Sequence, residues 1–144
     1  MASTARVGTG FGIVQIYALV FGIAYLAVAV LEVVFGSNGL KLGGVTILQV
    51  QLVQNLIHWV VGLAVLGSFF AGENWAKLVA RVVGVVFVLV TLLGLFVEPL
   101  TGQLLGFPDA LPISYNVVHL LTAAAALFAG FAAQRAYGQA QVAR

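Results

Sequence analysis

The feature of this sequence that most constrains its fold is the spacing of its charged residues. Four long stretches contain no Asp, Glu, Lys or Arg, at residues 7–31, 42–72, 82–97 and 110–134. A helix needs about 20 mostly apolar residues to cross the hydrocarbon core of a bilayer. The third stretch is short, but Lys77 and Arg81 precede it and can extend their charged ends to the interface. The spacing therefore predicts four membrane-spanning helices.

The composition excludes a water-soluble fold. Of the 144 residues, 62% are hydrophobic and 7% are charged, against about 45–50% and about 25% in an ordinary soluble domain. A net charge of +2 is too small for nucleic-acid binding, which needs clustered positive charge. The absence of cysteine excludes disulfides and thiolate metal sites. We therefore expect the lipid bilayer, and no nucleic acid, as a partner.

The expected architecture is all-α, a single integral membrane domain over residues 1–144. Glycine and proline residues, among them Gly72, Pro99 and Pro108, interrupt the apolar stretches. The first apolar run is longer than the about 7–15 residues of a signal-peptide core, so we expect it to be retained as a helix. The predicted helices lie near residues 11–35, 47–71, 76–98 and 112–136.

The basic residues predict the orientation of the bundle. Four spans place both termini and the middle loop on one side of the membrane, and five of the six basic residues fall there: Arg6, Lys77, Arg81, Arg135 and Arg144. The opposite side holds Lys41 with three acids, Glu32, Glu98 and Asp109. Because basic loops stay in the cytoplasm, we expect a multi-pass protein of the cell membrane with cytoplasmic N- and C-termini.

The two halves of the chain resemble each other. Residues 18–28 align with residues 80–90 at an offset of 62, and the Asn-x-x-His pattern at residues 55–58 recurs at residues 116–119 at an offset of 61. Each half holds an even number of spans, so the repeats run parallel, about an axis along the membrane normal. The repeat predicts a four-helix bundle made of two pseudo-symmetric helical hairpins.

The doubled Asn-x-x-His pattern, with the segment at residues 80–89, resembles a family of small bacterial four-helix membrane proteins catalogued as domain of unknown function DUF4383. The resemblance covers about residues 17–133. It implies the same four-span arrangement and no established activity. The first helix departs from the family pattern, because it has Gln15 and Glu32 at positions where the family has plainer apolar residues.

Two histidines within the spans are the candidate site residues. A charge at the bilayer centre costs about 2.5–3.5 kcal/mol on insertion scales, so His58 and His119 each need an explanation. Asn55 and Asn116 lie three residues earlier, on the same helical faces. Further polar residues extend the two stripes: Gln51, Gln54 and Tyr115. Pseudo-symmetry would bring the stripes towards a common axis.

Three roles are open for these residues. They are hydrogen-bond clamps between helices, or they bind a haem or chlorophyll-type tetrapyrrole through His58 and His119, oriented by Asn55 and Asn116. A proton or ion pathway would add Glu32 and Glu98, although both acids are expected at a hydrated rim. A stable metal site needs three or four ligands, which the pattern does not offer.

No catalytic pattern is present, so we expect no enzyme. The fourth predicted helix carries Ala125, Ala129 and Ala133 at small-xxx-small spacing, beside Ala126 and Gly130, which allows another helix to approach closely. Gly62, Gly84 and Gly94 are expected to do the same inside the bundle. The predicted function is therefore that of an accessory or assembly subunit, acting by association with other membrane subunits or with itself.

Overall fold

Four long helices dominate the fold. The computed structural model describes residues 11–35, 40–43, 45–48, 51–107 and 111–132. Its long helices are α1 (Ile13–Phe35), α2 (Leu52–Ala71), α3 (Glu73–Phe96) and α5 (Ile113–Ala132), with the short helix α4 (Glu98–Leu105) between α3 and α5. All four long helices are long and apolar enough to cross a membrane. The predicted fold class, an all-α bundle with four spans, is confirmed.

A short β-hairpin lies between α1 and α2, where the sequence predicted the start of a helix. Strand β1 (Leu40–Leu42) pairs antiparallel with β2 (Val45–Leu48), and Gly43 between them adopts a positive φ of 57°. Residues 45–47 are Val, Thr and Ile, whose branched side chains favour strands. The prediction that the second helix begins near residue 47 is therefore wrong, and α2 begins at Leu52.

The connections on either side of α3 also differ from the prediction. Gly72, with φ +99°, is the only residue between α2 and α3, so α3 begins at Glu73 and not at residue 76. Glu73 pairs with Lys77 one turn later, and its negative charge suits a helix N-terminus. After α3, the expected loop contains α4, which has Pro99 in its first turn and ends at Gly106 with φ +88°.

The helices pack as two pairs, α1 on α2 and α3 on α5. The second pair approaches closely at Gly84, where a Cβ atom would lie 2.6 Å from Leu127 Cγ. Ala126 and Ala129 are buried in the core, and Gly130 lies against Arg81. Gly130 therefore faces α3, and Ala126 and Ala129 lie inside the bundle. As predicted, Gly62, Gly84 and Gly94 all lie at close contacts between helices.

The charged side chain of Arg81 is also held between α3 and α5. Its Nε donates a hydrogen bond to the Gly130 carbonyl at 2.9 Å, and its guanidinium lies 4.6 Å from the centre of the Phe131 ring. Five residues of the predicted topology and small-residue stripe lie outside the described residues: Arg6, Asp109, Ala133, Arg135 and Arg144. For Lys41 and Glu98, only the backbone is described.

Candidate functional site

The centre of the candidate site is the carboxylate of Glu32, near the end of α1. Glu32 is 1% exposed. Its Oε2 accepts a hydrogen bond from Asn55 Nδ2 at 2.9 Å and lies 3.0 Å from His58 Nδ1. Asn55 Nδ2 also donates to the Ala29 carbonyl at 2.8 Å. The expectation that Glu32 occupies a hydrated rim is wrong, because this side chain faces α2.

The helical periods of α1 and α2 explain how these residues meet. Ala29 and Glu32 are three residues apart, as are Asn55 and His58, so each pair lies on one helical face. The packing of α1 on α2 brings the two faces together. A proton on His58 Nδ1 donates to the carboxylate and leaves Nε2 of the neutral ring as an acceptor.

The second Asn-x-x-His pattern has different partners. Asn116 Nδ2 donates to the Gly94 carbonyl at 3.1 Å. The predicted repeat aligns Gly94 with Glu32, and a Cβ atom at Gly94 would collide with Asn116 Oδ1. The Asn116 side chain therefore fills the space that a side chain at residue 94 would need. His119 is buried, and within the described part of the chain its Nδ1 has no hydrogen-bond partner.

Both histidines line one cavity of about 280 Å³ between the helices. Gln54 is 3% exposed and also lines the cavity, and its Oε1 accepts no hydrogen bond from any described residue. The rest of the wall is mainly apolar and aromatic: Phe21, Ala24, Tyr25, Val28, Phe87, Ser114, Tyr115, Val118 and Thr122, together with Glu32. Gln54, His58, Tyr115 and His119 of the two predicted stripes thus line one cavity, whereas Gln51, Asn55 and Asn116 do not line it.

An aromatic ring accompanies each histidine. The rings of Tyr25 and His58 are 6.2 Å apart between their centres, and those of Phe87 and His119 are 5.2 Å apart. Tyr25 and Phe87 stack on each other at 5.9 Å. Among the described residues, no group of three or more His, Cys, Asp or Glu side chains converges as a metal site would require.

The family comparison covers all of these residues. A family model described as Domain of unknown function (DUF4383) matches residues 15–132. The chain belongs to this family. The resemblance predicted from the doubled Asn-x-x-His pattern is therefore confirmed, and the DUF4383 match extends from α1 to the end of the described part of α5. No curated protein and no solved structure matches the chain.

Sequence reasoning alone did not place two groups of this DUF4383 protein in the site. Glu32 was expected in water, because its distance from the helix end is visible in the sequence whereas the direction of its side chain is not. The aromatic residues Tyr25 and Phe87 carried a usable signal, since they are 62 residues apart, at the offset of the predicted repeat. The position of Gln51 was also not predicted: its side chain lies beside Gly106, at the end of α4.

Proposed function

We propose that this DUF4383 protein binds a small, mostly apolar molecule inside its helical bundle. The observation that carries the proposal is the cavity of about 280 Å³, into which Glu32, Gln54, His58 and His119 bring polar atoms. Binding sites for small molecules are concave and mostly apolar, with a few polar groups that orient the ligand. This cavity has both properties.

The energetics of the wall support the same proposal. A buried polar atom without a hydrogen bond costs about 1–3 kcal/mol, and the wall contains three such atoms within the described part of the chain: the Tyr25 hydroxyl oxygen, Gln54 Oε1 and His119 Nδ1. A ligand that donates hydrogen bonds to them recovers part of this cost. An ionisable residue inside a membrane is also expensive, which makes the buried Glu32 a marker of function.

The cavity volume limits the size of the ligand. Pockets for drug-sized molecules have volumes of about 300–1,000 Å³, and this cavity lies just below that range. A ligand of suitable size is a single aromatic ring with a short polar chain. A haem or chlorophyll-type ring is too large for a cavity of about 280 Å³. It would fit between His58 and His119 only if the helices separated.

Cavity filling tests the proposal. Ala24 and Ala27 are both exposed residues of α1, but only Ala24 lines the cavity. With 2-phenylethanol as the probe, ligand-observed NMR on the protein in phosphatidylcholine nanodiscs should show saturable binding. Ala24→Leu should weaken this binding by about tenfold, or about 1.4 kcal/mol, and Ala27→Leu should not change it. Binding that does not saturate, or equal affinity in both variants, contradicts the proposal.

A proton pathway is the second candidate, because Glu32 and His58 form a buried carboxylate–imidazole pair with a 3.0 Å separation. Such a pair can exchange a proton between its two members. Proteoliposomes carrying a trapped pH dye should then show a proton flux that falls in the variant Glu32→Gln. The same flux in protein-free liposomes would rule this role out.

The role of an accessory or assembly subunit stays a prediction. It draws support from the broad apolar outer faces of the four spans, which suit either lipid or another subunit. Native mass measurement after gentle solubilisation tests it. A chain that remains alone at 15.0 kDa, with no co-purifying protein, would contradict this role.

We also propose that both termini are cytoplasmic. Lys77 and Arg81 lie at the end of the bundle where α3 begins, and basic residues concentrate on the cytoplasmic side of membrane proteins. A reporter fused to the C-terminus should be active only in the cytoplasm. Activity on the outside would reverse the orientation.

A further inference from the structure

We propose that the polar group of the bound molecule is an ammonium cation. This inference rests on the proposed binding function and adds the chemical class of the ligand. Its basis is the kind of polar atom that the cavity presents, together with the aromatic rings and the charge of the wall.

The polar atoms left without partners in the cavity are suited to accept hydrogen bonds. The contacts of the Glu32 carboxylate with Asn55 and His58 are both made by Oε2. Gln54 Oε1 is an acceptor without a donor among the described residues, and His119 Nδ1 accepts when the ring proton is on Nε2. The Tyr25 hydroxyl, which also has no partner there, can accept as well as donate. An ammonium group has several N–H donors and no acceptor, so it complements each of these acceptors.

Aromatic rings form much of the remaining wall. Phe21, Tyr25, Phe87 and Tyr115 line the cavity, and the stacked pair of Tyr25 and Phe87 lies beside both histidines. The face of an aromatic ring carries partial negative charge, which attracts cations, and this attraction is stronger in a site shielded from water. The same rings provide apolar contacts for the body of the ligand.

The formal charge of the wall favours the same ligand. Among the described residues that line the cavity, Glu32 is the only acid, and there is no Lys or Arg. Counting the imidazoles as neutral, the wall therefore carries one formal negative charge in mainly apolar surroundings. A cation compensates it, whereas an anionic ligand would be repelled at short range.

Three probes with the same phenylethyl body test the inference: 2-phenylethylammonium, 2-phenylethanol and 3-phenylpropanoate. Their affinities are measured on the full chain in nanodiscs of zwitterionic phosphatidylcholine at neutral pH, so that the lipid itself carries no net charge. We expect the ammonium probe to bind about tenfold more tightly than the alcohol, and the carboxylate probe to bind most weakly. The wild-type series is informative without any variant.

Two matched variants locate the preference. Glu32→Gln keeps the shape of the side chain and removes its charge, and it should bring the affinities of the ammonium and the alcohol to within about threefold of each other. Glu73→Gln removes the charge of a carboxylate outside the cavity and should retain the full preference.

The outcomes separate this inference from the proposed function. If the alcohol binds as tightly as the ammonium, the cavity binds a small molecule but the inference is wrong. If the carboxylate probe binds best, or if Glu32→Gln folds and keeps the preference, the inference is also wrong. If none of the three probes binds, both the inference and the proposed function fail.

Discussion

The substitution Gly94→Ala tests how tightly α3 and α5 are packed beside the site. The three atoms nearest to a Cβ at residue 94 all belong to the Asn116 amide, with Cγ at 2.8 Å and Nδ2 at 2.9 Å. Because Asn116 Nδ2 also donates to the Gly94 carbonyl, the added methyl group must displace the amide and break this hydrogen bond.

The magnitude follows from three terms. Overpacking of this kind costs about 1–3 kcal/mol, and the lost hydrogen bond costs about 0.6 kcal/mol in a membrane. The better helix propensity of alanine returns about 1 kcal/mol. We therefore expect Gly94→Ala to lower the free energy of unfolding by about 0.6–2.6 kcal/mol.

The background Asn116→Ala provides the decisive comparison, because it removes all three of the close atoms. In that background the strain and the hydrogen bond are already absent, so Gly94→Ala should be neutral or stabilising by up to about 1 kcal/mol. The assay is equilibrium unfolding in mixed micelles, followed by the fluorescence of Trp59 and Trp75, as a double-mutant cycle. If the effects of the two substitutions simply add, the proposed collision does not exist.

Three further predictions use the same unfolding measurement. Gly84→Ala should destabilise the protein by about 1–3 kcal/mol, because its Cβ would lie 2.6 Å from a side-chain atom of α5, whereas Gly67→Ala, with nothing within 4 Å, should be neutral or slightly stabilising. Asn55→Ala removes hydrogen bonds to a backbone carbonyl and to Glu32, and should cost about 1–2 kcal/mol; an unchanged free energy of unfolding would show that these bonds contribute nothing. Arg81→Lys loses the Nε–H donor and the planar group over the aromatic ring and should cost about 1 kcal/mol; equal stability would assign Arg81 a charge role alone.

The sequence predicted the number of spans well because lipid imposes a strong and local requirement. Each backbone N–H and C=O group of a single span within a bilayer must find a hydrogen-bond partner inside its own segment. A long apolar stretch without charge therefore forms a helix. The start of α2 was less predictable. Residues 45–48 are mostly apolar, as a helix segment would be. The branched side chains of residues 45–47 favour a strand, and the pairing with residues 40–42 completes it.

The site was predictable in part. The recurrence of Asn and His three residues apart singled out His58 and His119, and both line the cavity. The role of Glu32 was not predictable, because burial depends on the rotation of α1 against α2 and not on the distance of a residue from a helix end. The repeat aligns Glu32 with Gly94, which has no side chain. His58 therefore has a carboxylate partner, whereas His119 has none at the equivalent position.

The sequence by itself determined three things: that the helices of this protein suit a lipid environment, that four of them can span a membrane, and that the chain belongs to DUF4383. All three depend on composition and on short-range patterns. Only the tertiary structure decided which polar groups meet. Hydrogen bonds such as that between Asn55 and Glu32 join residues far apart in the chain, so they depend on the rotation and separation of packed helices. Close packing at small residues sets that geometry, and with it the cavity that holds the candidate site.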